Sequence, residues 1–444
     1  MDRFISFLKL HKQHIQNLFV YWFTACTGTI FARIFIQNTR EVPYIDSIYL
    51  LNGLIDTKWS DLFFFQLGSH FQGIGFYLMH AVLTLFSWRL SSITYLDIAI
   101  QIGTTILILA LSRKLHGRLT FADAVIPLIL FTLRAPDVYV EIPNVSYVIL
   151  PLLLLFSICY ISITSQSKHK YLEIYILGIL LITCGWGIFA LPIFGILLLL
   201  TVARSAKKFI PMIGFVSFVG VVAYMITQYQ VSYTVICPYL QFNGKNYLTF
   251  INAMISYFFL HGIVNHPFFL VALGIISACI YHLYWAMRAK ELHAYNYHRM
   301  NFILYGFTCV FMLSIGTQRA CLGPIAATAG RYSMFIIPAL IATYFDLRKM
   351  VNSRMKTIAL TLFILLLLIT EVTAIQKNIE PVRTMARKDR LWQECYRNGN
   401  SIVECSKSLD FWPGGVDTYG ELDHILKYAK KMNRLFFTKD IDPL

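Results

Sequence analysis

Four side chains in residues 40–73 could do chemistry: Asp46, Asp56, Asp61 and His70, carried by REVPYIDSIYLLNGLIDTKWSDLFFFQLGSHFQG, a polar interruption between two apolar segments. A carboxylate in such a place can take the proton of an attacking hydroxyl, or it can cap a helix. Tyr44, Ile48, Leu51 and Ile55 recur at three and four residues, so residues 44–56 are expected to form a helix lying in a membrane interface with one apolar face inward. Asp46 follows Pro43 by three residues and enters that helix near its start, where the macrodipole favours a negative charge and a substrate hydroxyl can reach it. Asp56 and Asp61, beside Thr57 and Ser60, read equally well as capping acids.

A second polar stretch, PDVYVEIPN at 136–144, sets Asp137 and Glu141 four residues apart between prolines that prevent a continuous helix. Three readings stay open for this pair: a divalent metal site, a base with its partner, or a solvated turn. Further on, TQRACLGPIAATAGRY at 317–332 places Arg319 and Arg331 among glycines, a proline and small residues, with Tyr332 next to Arg331. Arginine at the edge of a span needs an anion, either a lipid phosphate that anchors it or a substrate phosphate gripped by its two-pronged fork. Arg319 reads as an anchor; for Arg331 both remain. In the segment 228–266, Lys245, His261 and His266 are candidates for holding an acidic head group, against the plainer reading of interfacial residues. No pair among the 9 cysteines has zinc spacing, and neither a phosphate-binding glycine loop nor a Ser/His/Asp arrangement is visible.

The elements that must position these side chains belong to a membrane. At 57% hydrophobic and 14% charged residues, the composition excludes a soluble globule, and apolar runs near twenty residues point to an all-α polytopic membrane protein rather than a barrel. The formal charge of +15 does not point to nucleic acid, because the basic residues cluster between apolar runs. Lys9 and Lys12, Lys168 and Lys170, Arg204 with Lys207 and Lys208, residues 288–299 and residues 348–356 all read as cytoplasmic under the positive-inside rule. The first apolar segment, 15–36, lacks a small-residue cleavage site and is expected to stay as a span.

About eleven spans are expected over residues 1–375. The basic turn RKLHGR at 113–118 conflicts with the count: it lies outside if 73–88 and 93–112 both cross, and inside if one is re-entrant, with the short run 125–133 absorbing the difference. The run 171–202 has basic ends on both sides, which argues for a hairpin turning at 185–192. Residues 376–444 change character and are expected to form a small folded cap on the outer side, with an amphipathic helix over 422–437 and a disulfide between Cys395 and Cys405 in an oxidising compartment.

With its count of spans, acid-bearing first and second external loops (38–72 and 136–145) and C-terminal cap, the chain resembles the GT-C class of membrane glycosyltransferases. It is most similar to bacterial serotype-converting O-antigen glucosyltransferases, through YIDSIYLLNGLIDTKWSDLFFFQLGSHFQG, AGRYSMFIIP and LDHILKYAKKMNRLFF. The layout covers most of the chain and the motifs about sixty residues of it. The resemblance implies a catalytic module in the bacterial inner membrane with its active face in the periplasm, and transfer of a hexose such as glucose from a polyprenyl-phosphate donor to a surface polysaccharide or lipid-linked glycan. It implies Asp46 as catalytic base with Asp61 as substitute, Asp137 or Glu141 as second-loop acids, and Arg331 on the phosphate; His70, Lys245 and Tyr332 complete the substrate-facing candidates. The Asp–Glu doublet of mannosyl- and aminoarabinose-transferring relatives is absent, since Ile45 and Ser47 flank Asp46. No cofactor is expected. A lipid-linked oligosaccharide flippase or an O-antigen polymerase is the rival reading; transport sites usually sit at mid-membrane on broken helices, whereas these acids collect in loops.

Overall fold

The computed structural model describes residues 2–68, 70–164, 170–204, 209–229, 243–260, 262, 267–414 and 418–437; Lys168, Lys207, Lys208, His261 and His266 lie outside the described residues. In chain order the helices are α1 (Asp2–Ile36), α2 (Asp46–Asp56), α3 (Gly73–Leu85), α4 (Ser91–His116), α5 (Val125–Leu130), α6 (Leu150–Thr164), α7 (Lys170–Ile182), α8 (Leu191–Arg204) and α9 (Phe209–Gln228). They continue as α10 (Gly244–Leu260), α11 (Phe269–Arg288), α12 (Leu292–Arg319), α13 (Gly330–Ser333), α14 (Ile337–Lys349), α15 (Ser353–Arg397), α16 (Ile402–Leu409) and α17 (Tyr419–Lys431). A two-stranded hairpin, β1 (Gln66–Leu67) with β2 (His70–Phe71), is the sheet among the described residues.

Among the described residues eight helices are long and apolar enough to cross a membrane, so the chain is an all-α multi-pass membrane protein. A helix is the spanning form because lipid offers its backbone no hydrogen bonds. The count falls below the expected eleven because α3, α7 and α14, which read in sequence as spans, hold only 13 residues each, about 20 Å at 1.5 Å per residue and short of a hydrocarbon core of about 30 Å.

Arg331 lies just before α14 and Arg348 near its end, separated by about 25 Å at 1.5 Å per residue, close to the depth of a hydrocarbon core. The two guanidiniums therefore mark opposite faces. At the far face, Arg348 Nη1 donates to both oxygens of Asp123 at 2.6 Å, and Asp123 also accepts the hydroxyls of Ser112 at 2.5 Å and Tyr344 at 2.8 Å. Arg348 also reaches the Arg118 carbonyl at 3.4 Å, which puts the basic turn 113–118 opposite Arg331. The conflict over that turn resolves at α3. Gln72, preceding α3, takes the Ser146 hydroxyl, and after α3 the backbone N–H groups of Leu90 and Ser91 donate to Glu41 at 2.8 and 3.2 Å, so both of its ends lie on the Arg331 side and it does not cross. The return journey is made between Asp123 and Asp137, where α5 supplies only 6 residues of helix.

Residues 170–204 turn back on themselves as their charges require. The Phe194 ring packs against Gly178, Lys170 Nζ bonds the Ser162 carbonyl at 2.7 Å, and Arg204 and Arg299 both stand over the Tyr295 ring. Both basic ends are thus at one level, and the 3-10 turn Gly185–Ala190 is at the other. Gly185 adopts φ 50 with the Ser146 carbonyl and Tyr147 Cα where a side chain would stand; glycine alone takes that conformation without strain or clash.

The second loop is tied down from below. Glu371 on α15 accepts the Thr132 hydroxyl and the Leu133 N–H at 2.7 Å each and pairs with buried Arg134 at 3.5 Å. α15 runs 45 residues without a break, through 375–376 and with Pro381 inside it, into the C-terminal region. There Cys395 and Cys405 form a disulfide, and α17 buries Leu422, Ile425, Leu426 and Ala429 along one stripe. That stripe covers the site's first helix, with His424 Nδ1 2.9 Å from Asn52 Oδ1 on α2.

Candidate functional site

The site is assembled on α2. Asp389 near the end of α15 accepts the N–H groups of Glu41 and Val42 at 3.0 Å each, and the Ile45 N–H donates to the Pro413 carbonyl at 2.7 Å. Ile45 is held at φ 42, a region a β-branched residue enters only under strain, of order 1–3 kcal/mol where surrounding contacts over-determine it. The next residue is Asp46, the first of α2.

Asp46 Oδ2 accepts Arg331 Nη1 at 3.1 Å, with the two side chains 32% and 24% exposed. Two loops separated by 285 positions therefore meet in one ion pair. The third partner comes from the 3-10 turn Pro136–Tyr139: the Arg331 backbone N–H donates to the Asp137 carboxylate. Gly330 makes this possible, because a Cβ there would occupy the position of Asp137 Oδ1 and press on Ala135 Cα. Burial raises the Asp137 carboxyl against the opposing pull of Arg331 and Arg40, and burial together with the Asp137 charge pushes Glu141 up to about 7.

An aromatic wall backs the charges. The Arg331 guanidinium lies 5.8 Å from the centre of the Trp186 ring, and Trp186 stacks on Tyr332 at 5.3 Å and on Tyr147 at 5.8 Å. His70 stands edge-on to Tyr147 and Trp186, both at 5.8 Å, and burial with the charges of Arg319 and Arg331 lowers it to about 3. Neutral at any physiological pH, His70 is a hydrogen-bonding group here and not a cation. Three guanidiniums, of Arg40, Arg319 and Arg331, act on this region, facing Asp46, Asp137 and Glu141. Since burial drives two of those carboxyls toward their neutral form, the balance favours an added anion. Arg331 Nε and Arg40 Nε are closed off from solvent with no hydrogen-bond partner among the described residues.

No protein-family model matches the chain, and no curated protein matches it. Among the described residues no three His, Cys, Asp or Glu side chains come together as a metal-binding set.

Asp46, His70, Asp137, Glu141, Arg331 and Tyr332 are thus brought into one region, and Arg319, read in the sequence as an anchor, acts on it as well. Asp56 and Asp61 are not brought there. α2 spends about 15 Å between Asp46 and Asp56, and Asp61 is exposed beyond it on the 3-10 turn Trp59–Phe64, accepting the Ser60 hydroxyl at 2.9 Å. Lys245 is exposed on the first turn of α10, with its N–H on Asn243 Oδ1 at 2.9 Å. Arg40, Tyr147 and Trp186 were not anticipated. The one usable signal for Trp186 was its place in CGWGIFALP, the turn of a hairpin pointing at the acidic loops.

Proposed function

We propose that the chain is a membrane glycosyltransferase of GT-C-like build that moves a hexose from a polyprenyl-phosphate donor to a surface polysaccharide or lipid-linked glycan, with Asp46 as general base. The observation that carries this is the Asp46–Arg331 pair, flanked by Asp137 and Glu141 at one face of the spans. Transfer needs both charges: the acceptor hydroxyl gives its proton to a carboxylate as its oxygen bonds the anomeric carbon, and the bond from that carbon to the phosphate oxygen breaks. The departing lipid phosphate keeps the electron pair. Arg331, whose side chain is 24% exposed, can grip it through the open part of its guanidinium while Nη1 stays near Asp46.

A lipid substrate also needs somewhere for its tail. Beside His70 lies a cavity of about 220 Å³ lined by Phe71, Ile188, Met225, Ile226 and Tyr229, between β2, the 3-10 turn Gly185–Ala190 and α9. Its apolar walls next to a cationic region suit a phosphate with an isoprenoid chain. The outer, periplasmic placement of this face in a bacterial inner membrane is part of the proposal and accords with the disulfide in the C-terminal region. The test is transfer of labelled sugar from a polyprenyl-phosphate donor in vesicles reconstituted with the chain. Transfer that Asp46→Asn abolishes is the expected result; altered polymer length without sugar addition, or lipid flipping without transfer, would replace the proposal with a polymerase or a flippase.

A further inference from the structure

The C-terminal region holds a cleft that the proposed reaction does not use. It measures about 600 Å³ and is lined by Tyr396, Arg397 and Asn400 from the end of α15 and the turn after it, and by Tyr419, Asp423 and Lys430 on α17. Its size falls in the range of sites that hold a small-molecule ligand. Each of its tyrosines is backed by a second ring: Tyr396 stacks on Trp392 at 5.4 Å and 8°, and Tyr419 on Trp412 at 6.0 Å and 16°. Rings fixed in this way lose little freedom when a ligand lies against them. The turn from α15 into α16, which supplies Asn400, is also fixed, by the disulfide from Cys395 to Cys405 and by a capping box in which Ser401 and Glu404 exchange hydrogen bonds.

We infer that this cleft is a carbohydrate-binding site, taking two to three sugar units of the acceptor glycan at a distance from Asp46. A pyranose presents an apolar C–H face for an aromatic ring and a rim of hydroxyls that both donate and accept. Asp423 is an acceptor-only group, Arg397 and Lys430 are donor-only, and Asn400 is both, so the rim has partners of each kind. A lipid tail would meet charged walls, and Asp423, paired with Lys427 at 2.6 Å, offers its remaining lone pairs to hydroxyl donors, which a polyphosphate lacks. Tyr419, Asp423 and Lys430 share a stripe of α17 next to the buried stripe that packs on α2. A chain held there lies on the helix that seats the Asp46 helix. The carbohydrate assignment stands on the cleft; its being the acceptor's rests on the transferase proposal.

The test is binding of purified O-polysaccharide fragments of graded length to the detergent-solubilised full chain, read by intrinsic tryptophan fluorescence, with an anionic polysialic acid as a comparison probe. Tyr419→Ala and Asp423→Ala should each weaken binding of fragments at least tenfold, with melting temperature unchanged, while Asp46→Asn binds like the parent. In transfer assays the same two variants should raise KM for long acceptors and leave kcat unchanged. Cleft-dependent binding by a chain that transfers no sugar keeps the carbohydrate site and removes the transferase reading alone. Equal binding by the parent, Tyr419→Ala and Asp423→Ala, or no binding of any fragment by the parent, overturns the inference.

Discussion

Asp46→Asn separates proton transfer from every other role of the site. The Asp46–Arg331 pair at 3.1 Å, with side chains 32% and 24% exposed, is partly wet. Two unit charges about 4 Å apart attract with about 4 kcal/mol at an effective dielectric of 20, but desolvation and side-chain ordering leave such a pair a net worth of about 1 kcal/mol. Asparagine keeps the shape and one acceptor, so the melting temperature should move by about 2 °C or less. Loss of a general base should lower kcat by 10² to 10⁴, on the order seen for such groups. Donor affinity should hold or rise by up to about fivefold, the equivalent of 1 kcal/mol, because the phosphate no longer competes with a carboxylate for Arg331. The assay is sugar transfer in reconstituted vesicles with donor concentration varied, beside thermal unfolding in detergent. If donor affinity fell in step with turnover at unchanged melting temperature, Asp46 would be a holder of Arg331 and not a base; activity within tenfold of the parent would send the proton elsewhere, to Asp137 or Glu141.

Arg331→Lys should keep the charge and the fold yet weaken donor binding about tenfold to a hundredfold, since lysine lacks the two-pronged grip on phosphate oxygens; donor titration checks it, and equal affinity would leave Arg331 as an anchor. Glu141 sits at about 7 in the folded chain against an ordinary value of 4.5, so it gains a charge beside Arg331 as pH rises through 7, and donor affinity should fall from pH 6 to pH 8. The folded state binds more protons than the unfolded one between 4.5 and 7, so stability should also fall as pH rises across that window; Glu141→Gln should flatten the affinity profile and remove part of the stability slope, the rest staying with Asp389, which burial also raises to about 7. Reducing the disulfide, or replacing Cys395 and Cys405 by serine, should cost about 2.5–3 kcal/mol for a loop of this length, read as a lower melting temperature. Glu371→Ala strands the buried Arg134 charge and should cost about 3–5 kcal/mol, with loss of folded protein in detergent.

What could be read from the residues was local. The spacing of Ile48 and Leu51 named α2 and put Asp46 at its start because an apolar face and a helix N-terminus are properties of neighbouring residues. The hairpin of α7 and α8 followed from charge, since basic ends must return to one level whatever the turn between them does. The reach of α15 past 375 was hidden because hydropathy reports where lipid ends, not where a helix does: residues 376–397 are polar but contain no glycine, and Pro381 did not end the helix. Trp186 and Arg40 were hidden for a different reason. Arg40 acts on Asp137 across 97 positions and Trp186 meets Arg331 across 145, and a sequence pattern carries no term for such distances.

The two faces of the bundle handle their polar groups in opposite ways. At the far end of α14, Asp346 accepts from Tyr297 at 2.6 Å, Asn301 at 2.8 Å, and Tyr305 at 3.0 Å, with His282 also 3.0 Å away. Together with the Asp123–Arg348 pair, that makes a lock between α4, α11, α12 and α14. A carboxylate saturated with donors has no capacity left for a ligand, so these residues stabilise and do not catalyse. At the near end the same helix begins beside Arg331, whose Nε is buried and without a partner among the described residues, as is Arg40 Nε. Leaving such donors unmet costs stability, about 1–3 kcal/mol each in a dry site. The far-end lock holds α14, the helix that follows Arg331, so the guanidinium that faces Asp46 is carried by a fixed element when an anion arrives.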